Sequence, residues 1–152
     1  MTKEHFLRLY EYVNWANRRV LDVLRRQAED NERAQQWLCH VLAAEQVWLT
    51  RLRGEDSSAV PVWPDLSLDE CAGLLAQNRG AYQQFLHKLT EADFDRAVSY
   101  KNTKGVSFST SIRDILTHVA NHGTYHRGHI ATLLRAAGQE PVNTDFITFT
   151  RE

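Results

Sequence analysis

The sequence has 152 residues, the length of one domain, and 43% of them are hydrophobic. Lysine and arginine number 18 and aspartate and glutamate 19, so the formal charge of −1 lacks the basic excess that nucleic acid binding requires. No segment is apolar for long enough to span a membrane, and the start of the chain lacks the apolar core of a signal peptide. We therefore expect one domain, residues 1–152, in a soluble, cytoplasmic protein that binds neither nucleic acid nor membranes.

The first part of the chain predicts two helices and a loop. Apolar residues recur at helical spacing over residues 3–28, with charged residues on the other face. After a polar break, the pattern resumes around Trp37 and continues to Gly54, which ends the second helix. Residues 54–64 contain a glycine, two prolines and two adjacent serines, which predict a crossover loop with Trp63 as its anchor.

The second part predicts a helix, a hairpin and another helix. Ser67 and Glu70 have the spacing of a capping box at the start of helix three. Apolar and polar residues then alternate over residues 94–110, which is typical of a short β-hairpin. Helix four is predicted to begin near Ser111, which can cap it, and to end at Ala137.

These elements predict an all-α fold. The tail around residues 146–149 is expected to pack back on the helices. Four helices, with a long crossover between helices two and three and a short β-hairpin before helix four, define a four-helix bundle. Proteins of this class place metal sites in the bundle core, on side chains from facing helices.

Helix four carries four histidines within twelve residues: His118, His122, His126 and His129. Histidines four residues apart project from one face of a helix, so His122 and His126 can offer two nitrogens to one ion. On a helical wheel these two deviate from the apolar direction by roughly 70° and 30°. His118 and His129 deviate by roughly 110° and 90°, so we expect them at the rim of the site. The alternative is a face whose imidazoles only hydrogen-bond to their neighbours.

A third ligand must come from elsewhere in the chain, and His5, His40 and His87 are the remaining histidines. His40 is the only one inside a helix rather than near an end, but on the wheel it lies at the flank of the apolar stripe. Glu45 points near the centre of that stripe. Glu45 is either a buried carboxylate bound to a tyrosine or indole, or a residue that accepts a ligand's N–H or acts as a general base.

The segment from His122 to His126 has Gly123 where the HExxH metallopeptidase motif requires glutamate, which excludes a peptidase. Glycine inside a helix costs about 1 kcal/mol relative to alanine, so Gly123 and Gly128 indicate close approach of a backbone or ligand, or a tolerated packing contact. Arg127 is interpreted as a solvated residue of the outer face.

Three further polar residues are interpreted structurally. Asn17 lies near the apolar face of helix one and is expected to hydrogen-bond to another helix. Cys39 and Cys71 have no CxxC spacing and lie in separate helices, which excludes a disulfide framework and a four-cysteine zinc site. We expect reduced, inert thiols at both positions.

The chain resembles the DinB family, which is related to the YfiT-like metal-dependent hydrolases and thiol transferases. The resemblance covers nearly the whole chain. It rests on these residues: Tyr12-Val-Asn-Trp-Ala-Asn17, His40 with Glu45 and Trp48-Leu, the segment His118-Val-Ala-Asn-His-Gly-Thr-Tyr-His-Arg-Gly128, Leu134-Arg-Ala-Ala-Gly138, and Asp145. The resemblance implies a four-helix bundle that holds one divalent ion on His40, His122 and His126.

Three neutral histidines with open positions resemble a catalytic zinc site, in which the ion acidifies bound water or activates a thiolate. The resemblance implies a metal-dependent enzyme of the thiol S-transferase or hydrolase type. Its substrate is expected to be a small molecule, with a low-molecular-weight thiol as the leading class. Zinc is the first choice of metal and nickel the second. Glu45 and Tyr125 are candidate catalytic residues, for proton transfer or substrate orientation.

The resemblance also implies a homodimer, because family members often pair by helix packing. The alternative function is a non-catalytic damage- or stress-response bundle that binds a metal or small ligand, with the histidines retained for structure or sensing.

Overall fold

Four long helices dominate the computed structural model, which describes residues 1–152. The elements in chain order are α1 Thr2–Arg26, α2 Glu32–Leu52, α3 Leu68–Lys88, a short 3₁₀ helix Glu91–Asp95, β1 Ala97–Lys101, β2 Ser107–Ser111, α4 Ile112–Ala136 and α5 Phe146–Phe149. The predicted four-helix bundle with a hairpin before the last long helix is confirmed. The 3₁₀ helix was not predicted.

Several helix ends follow from local hydrogen bonds. The Ser67 hydroxyl accepts a bond from the Glu70 amide at 3.1 Å, and the Glu70 carboxylate accepts one from the Ser67 amide at 3.1 Å. This capping box starts α3, as predicted. The Ser111 hydroxyl accepts from the Asp114 amide at 3.1 Å and starts α4. Gly138 follows the last turn of α4 with a φ of 71°, a left-handed conformation that favours glycine.

The predicted hairpin consists of β1 and β2, which pair antiparallel from Ala97 opposite Ser111 to Lys101 opposite Ser107. The Asn102 amide donates to the Val106 carbonyl at 2.9 Å and closes the turn. The hairpin leads directly into α4 and packs against α2, so it covers one end of the bundle.

Within the bundle, α2 packs most extensively against α4, and α1 against α3. Two large apolar clusters fill the interior. The cluster at the hairpin end includes Phe6, Leu52, Phe94, Ile112 and Leu116. The cluster at the opposite end includes Leu24, Leu38, Leu75, Ile130 and Leu134. The extensive contact of α2 with α4 brings together the two helices on which the candidate metal ligands were predicted.

The crossover between α2 and α3, residues 53–67, lies over one side of α2. It is held by side chains of that helix: Gln35 donates to the Leu66 carbonyl at 2.7 Å, and His40 bonds to the Val62 carbonyl at 2.9 Å. Trp63 stays 55% exposed but stacks on the His40 ring. Trp63 therefore anchors the loop as predicted, although its indole ring is not buried.

The tail packs back on α1, as predicted. Tyr12 meets Phe146 edge-on, with ring centroids 5.1 Å apart, and its hydroxyl donates to the Thr144 carbonyl at 2.6 Å. The Trp15 indole donates to the Glu152 carboxylate at 2.8 Å. No helix in the structure has the length and apolarity needed to cross a membrane.

Candidate metal centre

Three histidines from α2 and α4 converge on one point. His40, His122 and His126 each present a ring nitrogen, and these nitrogens all lie within 4.8 Å of one another. The structure therefore brings together the same three residues that the DinB resemblance implied. Both His122 and His126 are half-buried, and His40 is buried with 8% of its surface exposed. His40 lies deeper than its flank position on the wheel indicated, because Trp63 covers its outer face.

The orientation of the His40 ring is fixed by the crossover. Its Nδ1 lies 2.9 Å from the carbonyl oxygen of Val62. A carbonyl only accepts, so Nδ1 carries the proton and Nε2 keeps its lone pair. A hydrogen bond of this kind orients a metal-binding histidine and raises the basicity of its free nitrogen. His40 is thus prepared to donate Nε2 to a cation.

His122 and His126 face each other across one turn of α4. Their Nε2 atoms lie 3.1 Å apart, and Nδ1 of His126 is buried without a hydrogen-bond partner. Two nitrogens bound to one ion at about 2.0–2.1 Å are roughly 2.9–3.4 Å apart at octahedral to tetrahedral angles. The observed spacing falls in this range. The three-histidine cluster can therefore bind a metal ion.

The environment keeps the cluster neutral. Burial and the neighbouring histidines, His126 first among them, lower the pKa of His122 to about 4. Burial also lowers the pKa of His40 and of His126. Neutral imidazole is the form that binds metal, so at neutral pH the rings compete little with protons for an ion.

Two tryptophans form an aromatic wall beside the histidines. Trp63 lies parallel to His40, with ring centroids 3.9 Å apart and an interplanar angle of 9°. Trp37 contacts His126 at 4.6 Å and meets Trp63 edge-on at 4.9 Å. The wall shields one side of the histidine cluster from water, which strengthens electrostatic interactions there.

The other histidines lie outside the cluster. His118 packs edge-on against Trp48 at 5.2 Å and lies one turn from His122 on α4. The His129 ring packs on Trp37 at 4.5 Å, and its Nε2 is buried without a partner. His5 and His87 are exposed, near the start of α1 and the end of α3. None of these four belongs to the convergent group.

Glu45 is buried, as its inward position on α2 predicted, with 5% of its surface exposed. Its carboxylate accepts hydrogen bonds from Asn17 at 2.7 Å and Asn78 at 3.4 Å, not from a histidine, a tyrosine or an indole. Burial raises the pKa of Glu45 to about 7, against the opposing effects of Asn17, Arg127 and Asn78. The carboxyl group thus gains or loses its proton close to neutral pH.

Arg127 corrects the interpretation of a solvated outer residue, because only 3% of its surface is exposed. Its guanidinium donates from Nη1 to the Asn17 side-chain oxygen at 2.8 Å and from Nη2 to the Thr124 hydroxyl at 3.2 Å. The guanidinium passes over Gly123, where an added Cβ would lie 2.8 Å from Nη1. The close approach indicated for Gly123 is therefore that of a side chain. At Gly128 an added Cβ would meet no side chain and no neighbouring element within 4 Å, so no close approach is present there.

Tyr125, the other candidate catalytic residue, is 77% exposed. Its ring meets His126 edge-on, with centroids 5.2 Å apart. The side chain is thus accessible to solvent and borders the histidine cluster at His126.

Some residues of this region were not predicted from the sequence. Asn78 lies at a position between Leu75 and Tyr82 that shares their buried face, so its spacing of three and four residues was a usable signal. The Val62 carbonyl is a main-chain group in a loop, and no side-chain pattern reports it. Trp37 and Trp63 meet only because the crossover folds back over α2.

The fold and the site define a class of protein: a four-helix bundle with a three-histidine cluster between α2 and α4 that could bind a metal ion. Comparison with protein families matches residues 1–152 to the DinB family, so the chain belongs to the DinB family. It is 27% identical over 156 aligned residues to Protein DinB of Bacillus subtilis (strain 168), covering 91% of this chain and 90% of that protein.

A solved structure has the same fold. The crystal structure of a DinB-like protein from Bacillus cereus ATCC 10987 aligns with a TM-score of 0.68 at 20% sequence identity. The alignment covers 92% of this chain and 95% of the other. At this identity the match supports the shared architecture.

Proposed function

We propose that this protein is a metal-dependent enzyme of the thiol S-transferase or hydrolase type, with one divalent ion held by His40, His122 and His126. The observation that carries the proposal is the convergence of three ring nitrogens within 4.8 Å, one of them on a ring already fixed by the Val62 carbonyl. The cluster contains no fourth histidine, cysteine or carboxylate, which favours coordination positions open to water or substrate.

An ion held by three neutral histidines lowers the pKa of bound water to about 7 or activates a thiolate. Zinc is the proposed ion and nickel the second choice, because imidazole suits both. The chain's own residues would orient the ion's ligands and limit the access of water to it. His40 is held in one tautomer by Val62, and the Trp37 and Trp63 wall excludes water from one side. The proposed substrate is a small molecule, with a low-molecular-weight thiol as the leading class.

Glu45 and Tyr125 are the proposed catalytic residues. A pKa of about 7 suits Glu45 for proton transfer at neutral pH. Tyr125 borders His126 from the solvent side, where its hydroxyl can orient a substrate. Glu45→Gln is expected to remove the basic group and flatten the acidic limb of the pH–kcat profile, whereas a residue that only holds the helices in place would leave the profile's shape unchanged.

Elemental analysis tests the metal site. Protein purified without an affinity tag or chelator is expected to contain about one divalent ion per chain. His40→Ala and His126→Ala are expected to lose the ion, and the exposed His87→Ala, a matched control on α3, is expected to keep it. If His122→Ala kept one metal ion per chain while His118→Ala or His129→Ala lost it, the proposed set of ligands would be wrong.

Turnover then separates an enzyme from a binding protein. Metal-loaded protein is incubated with a low-molecular-weight thiol and an activated aryl halide, and separately with a chromogenic ester. Faster conjugation or hydrolysis than in His126→Ala supports catalysis. Metal at full stoichiometry with neither activity over a broad panel would favour the non-catalytic stress-response bundle.

A further inference from the structure

The two cysteines of the chain form a close pair. Cys39 on α2 and Cys71 on α3 have their Sγ atoms 3.4 Å apart, and no disulfide joins them. A disulfide has an S–S distance of about 2.04 Å, so the sulfurs would have to approach by about 1.4 Å. Rotation of two side chains on helices that already pack together can supply a movement of this size. The spacing in the sequence gave no indication of this contact.

Both cysteines are buried, with 2% of the Cys39 surface exposed, but only Cys39 borders a cavity. Cys39 lines a surface cavity of about 740 Å³ together with Trp63, Pro64 and Leu66. Cys71 does not line it and has 0% of its surface exposed. A small oxidant that enters the cavity therefore meets Cys39 first, and Cys71 lies behind it in contact with its sulfur.

Cys39 also contacts the crossover that orients the metal centre. Its thiol donates to the Leu66 carbonyl at 3.6 Å, and the next residue, His40, donates to the Val62 carbonyl at 2.9 Å. Two consecutive side chains of α2 thus hold one loop. Conversion of the Cys39 thiol to a disulfide removes its S–H and the bond to Leu66, on the same loop that fixes the His40 ring.

We propose that Cys39 and Cys71 form a reversible dithiol–disulfide site that reacts with low-molecular-weight disulfides. The sulfur of Cys39 attacks one sulfur of the oxidant, which breaks its S–S bond, forms a mixed disulfide and releases one thiol. The sulfur of Cys71 then attacks Cys39 and releases the second thiol. The protein loses two protons and two electrons, and one disulfide molecule becomes two thiols.

Intact mass spectrometry tests the site on the folded protein, both as purified and after addition of zinc. The protein is equilibrated with glutathione disulfide and glutathione at several ratios, then quenched with N-ethylmaleimide in denaturant, so that buried thiols that remain reduced are labelled as well. The expected product has lost two hydrogen atoms, carries no maleimide, and returns to the dithiol form with excess thiol. Two maleimide additions at every ratio in native buffer, with a disulfide forming only in urea, would overturn the proposal.

Matched variants test the order of attack. Cys71→Ser is expected to accumulate the glutathione adduct at Cys39, and Cys39→Ser is expected to remain unmodified. A faster adduct at Cys71 would overturn the assigned order. The wild-type measurement does not depend on whether either variant folds.

The effect on the metal centre is measured by the rate at which a chelator removes the ion from reduced and oxidised protein. We expect at least threefold faster removal after oxidation, and no oxidant effect in the double variant Cys39→Ser/Cys71→Ser. Equal rates would overturn the coupling through the crossover. Only this chelator experiment rests on the proposed metal function. The mass measurement reports the disulfide whether or not an ion is bound.

Discussion

Two glycines in α4 have opposite surroundings. An alanine at position 123 would meet Nη1 of Arg127 at 2.8 Å, whereas one at position 128 would meet nothing within 4 Å. Gly128→Ala is expected to raise the free energy of unfolding by about 1 kcal/mol, from helix propensity. Gly123→Ala is expected to lower it by about 1–2 kcal/mol, because the buried guanidinium must move away from Asn17.

Urea denaturation of the two glycine variants and the wild type measures this difference. An equal rise in the free energy of unfolding in both variants would show that the Arg127 side chain moves aside freely. Its hydrogen bond to Asn17 would then contribute little to stability.

The raised pKa of Glu45 has a consequence for stability. Between pH 4.5, the ordinary pKa, and about 7, native Glu45 keeps its proton while the unfolded chain has lost it. The contribution of protonated Glu45 to the free energy of unfolding is therefore fully present below pH 4.5. It is lost as the pH rises through the pKa of Glu45 in the folded protein. Relative to Glu45→Gln, the free energy of unfolding of the wild type is expected to fall by on the order of 3 kcal/mol across this pH window.

Chemical denaturation at several pH values, with the exposed Glu11→Gln as the control, tests the Glu45 effect. Parallel stability curves for the wild type and Glu45→Gln would contradict the raised pKa.

At the scale of elements, the crossover is part of the candidate metal centre. Trp63 stacks on His40, and the neighbouring Val62 accepts its Nδ1–H. Trp63→Ala is expected to loosen the loop and raise the Kd for zinc by roughly tenfold, the scale reported for groups that orient a ligand. Trp63→Phe keeps a stacking ring and is expected to change the Kd less. Calorimetric titration measures both, with Phe108→Ala in the hairpin as a control.

The sequence predicted the elements whose signals are local. Helical periodicity, the Ser67 capping box and the hairpin alternation depend on residues a few positions apart, and all are present. His122 and His126 could be predicted for the same reason, being one turn apart. Arg127 could not, because its burial depends on Asn17, 110 residues away in the chain. The contact of Cys39 with Cys71 likewise depends on how α2 packs on α3.

At the scale of the whole molecule, metal binding should stabilise the bundle. An ion that binds only the folded state adds about 2.7 kcal/mol at a free concentration of 100 times Kd. This corresponds to a rise in Tm of roughly 5–10 °C for a chain of this length. Thermal scans with zinc and with a chelator are expected to show the rise in the wild type and not in His126→Ala. An equal rise in both would place the stabilising ion elsewhere.

The homodimer stays a prediction. Light scattering at micromolar concentration is expected to give twice the chain mass of 17.6 kDa. A mass of 17.6 kDa at the highest concentration tested would contradict it.

The polar group around Glu45 has a consequence for the alignment of the helices. Asn17, Glu45, Asn78 and Arg127 belong one each to α1, α2, α3 and α4, and their hydrogen bonds join all four. If one helix slid by a turn, about 5.4 Å, these buried groups would lose their partners, which is costly inside a protein. The same slip between α2 and α4 would separate His40 from His122 and His126. The register that satisfies the buried charges is thus also the register that assembles the three histidines.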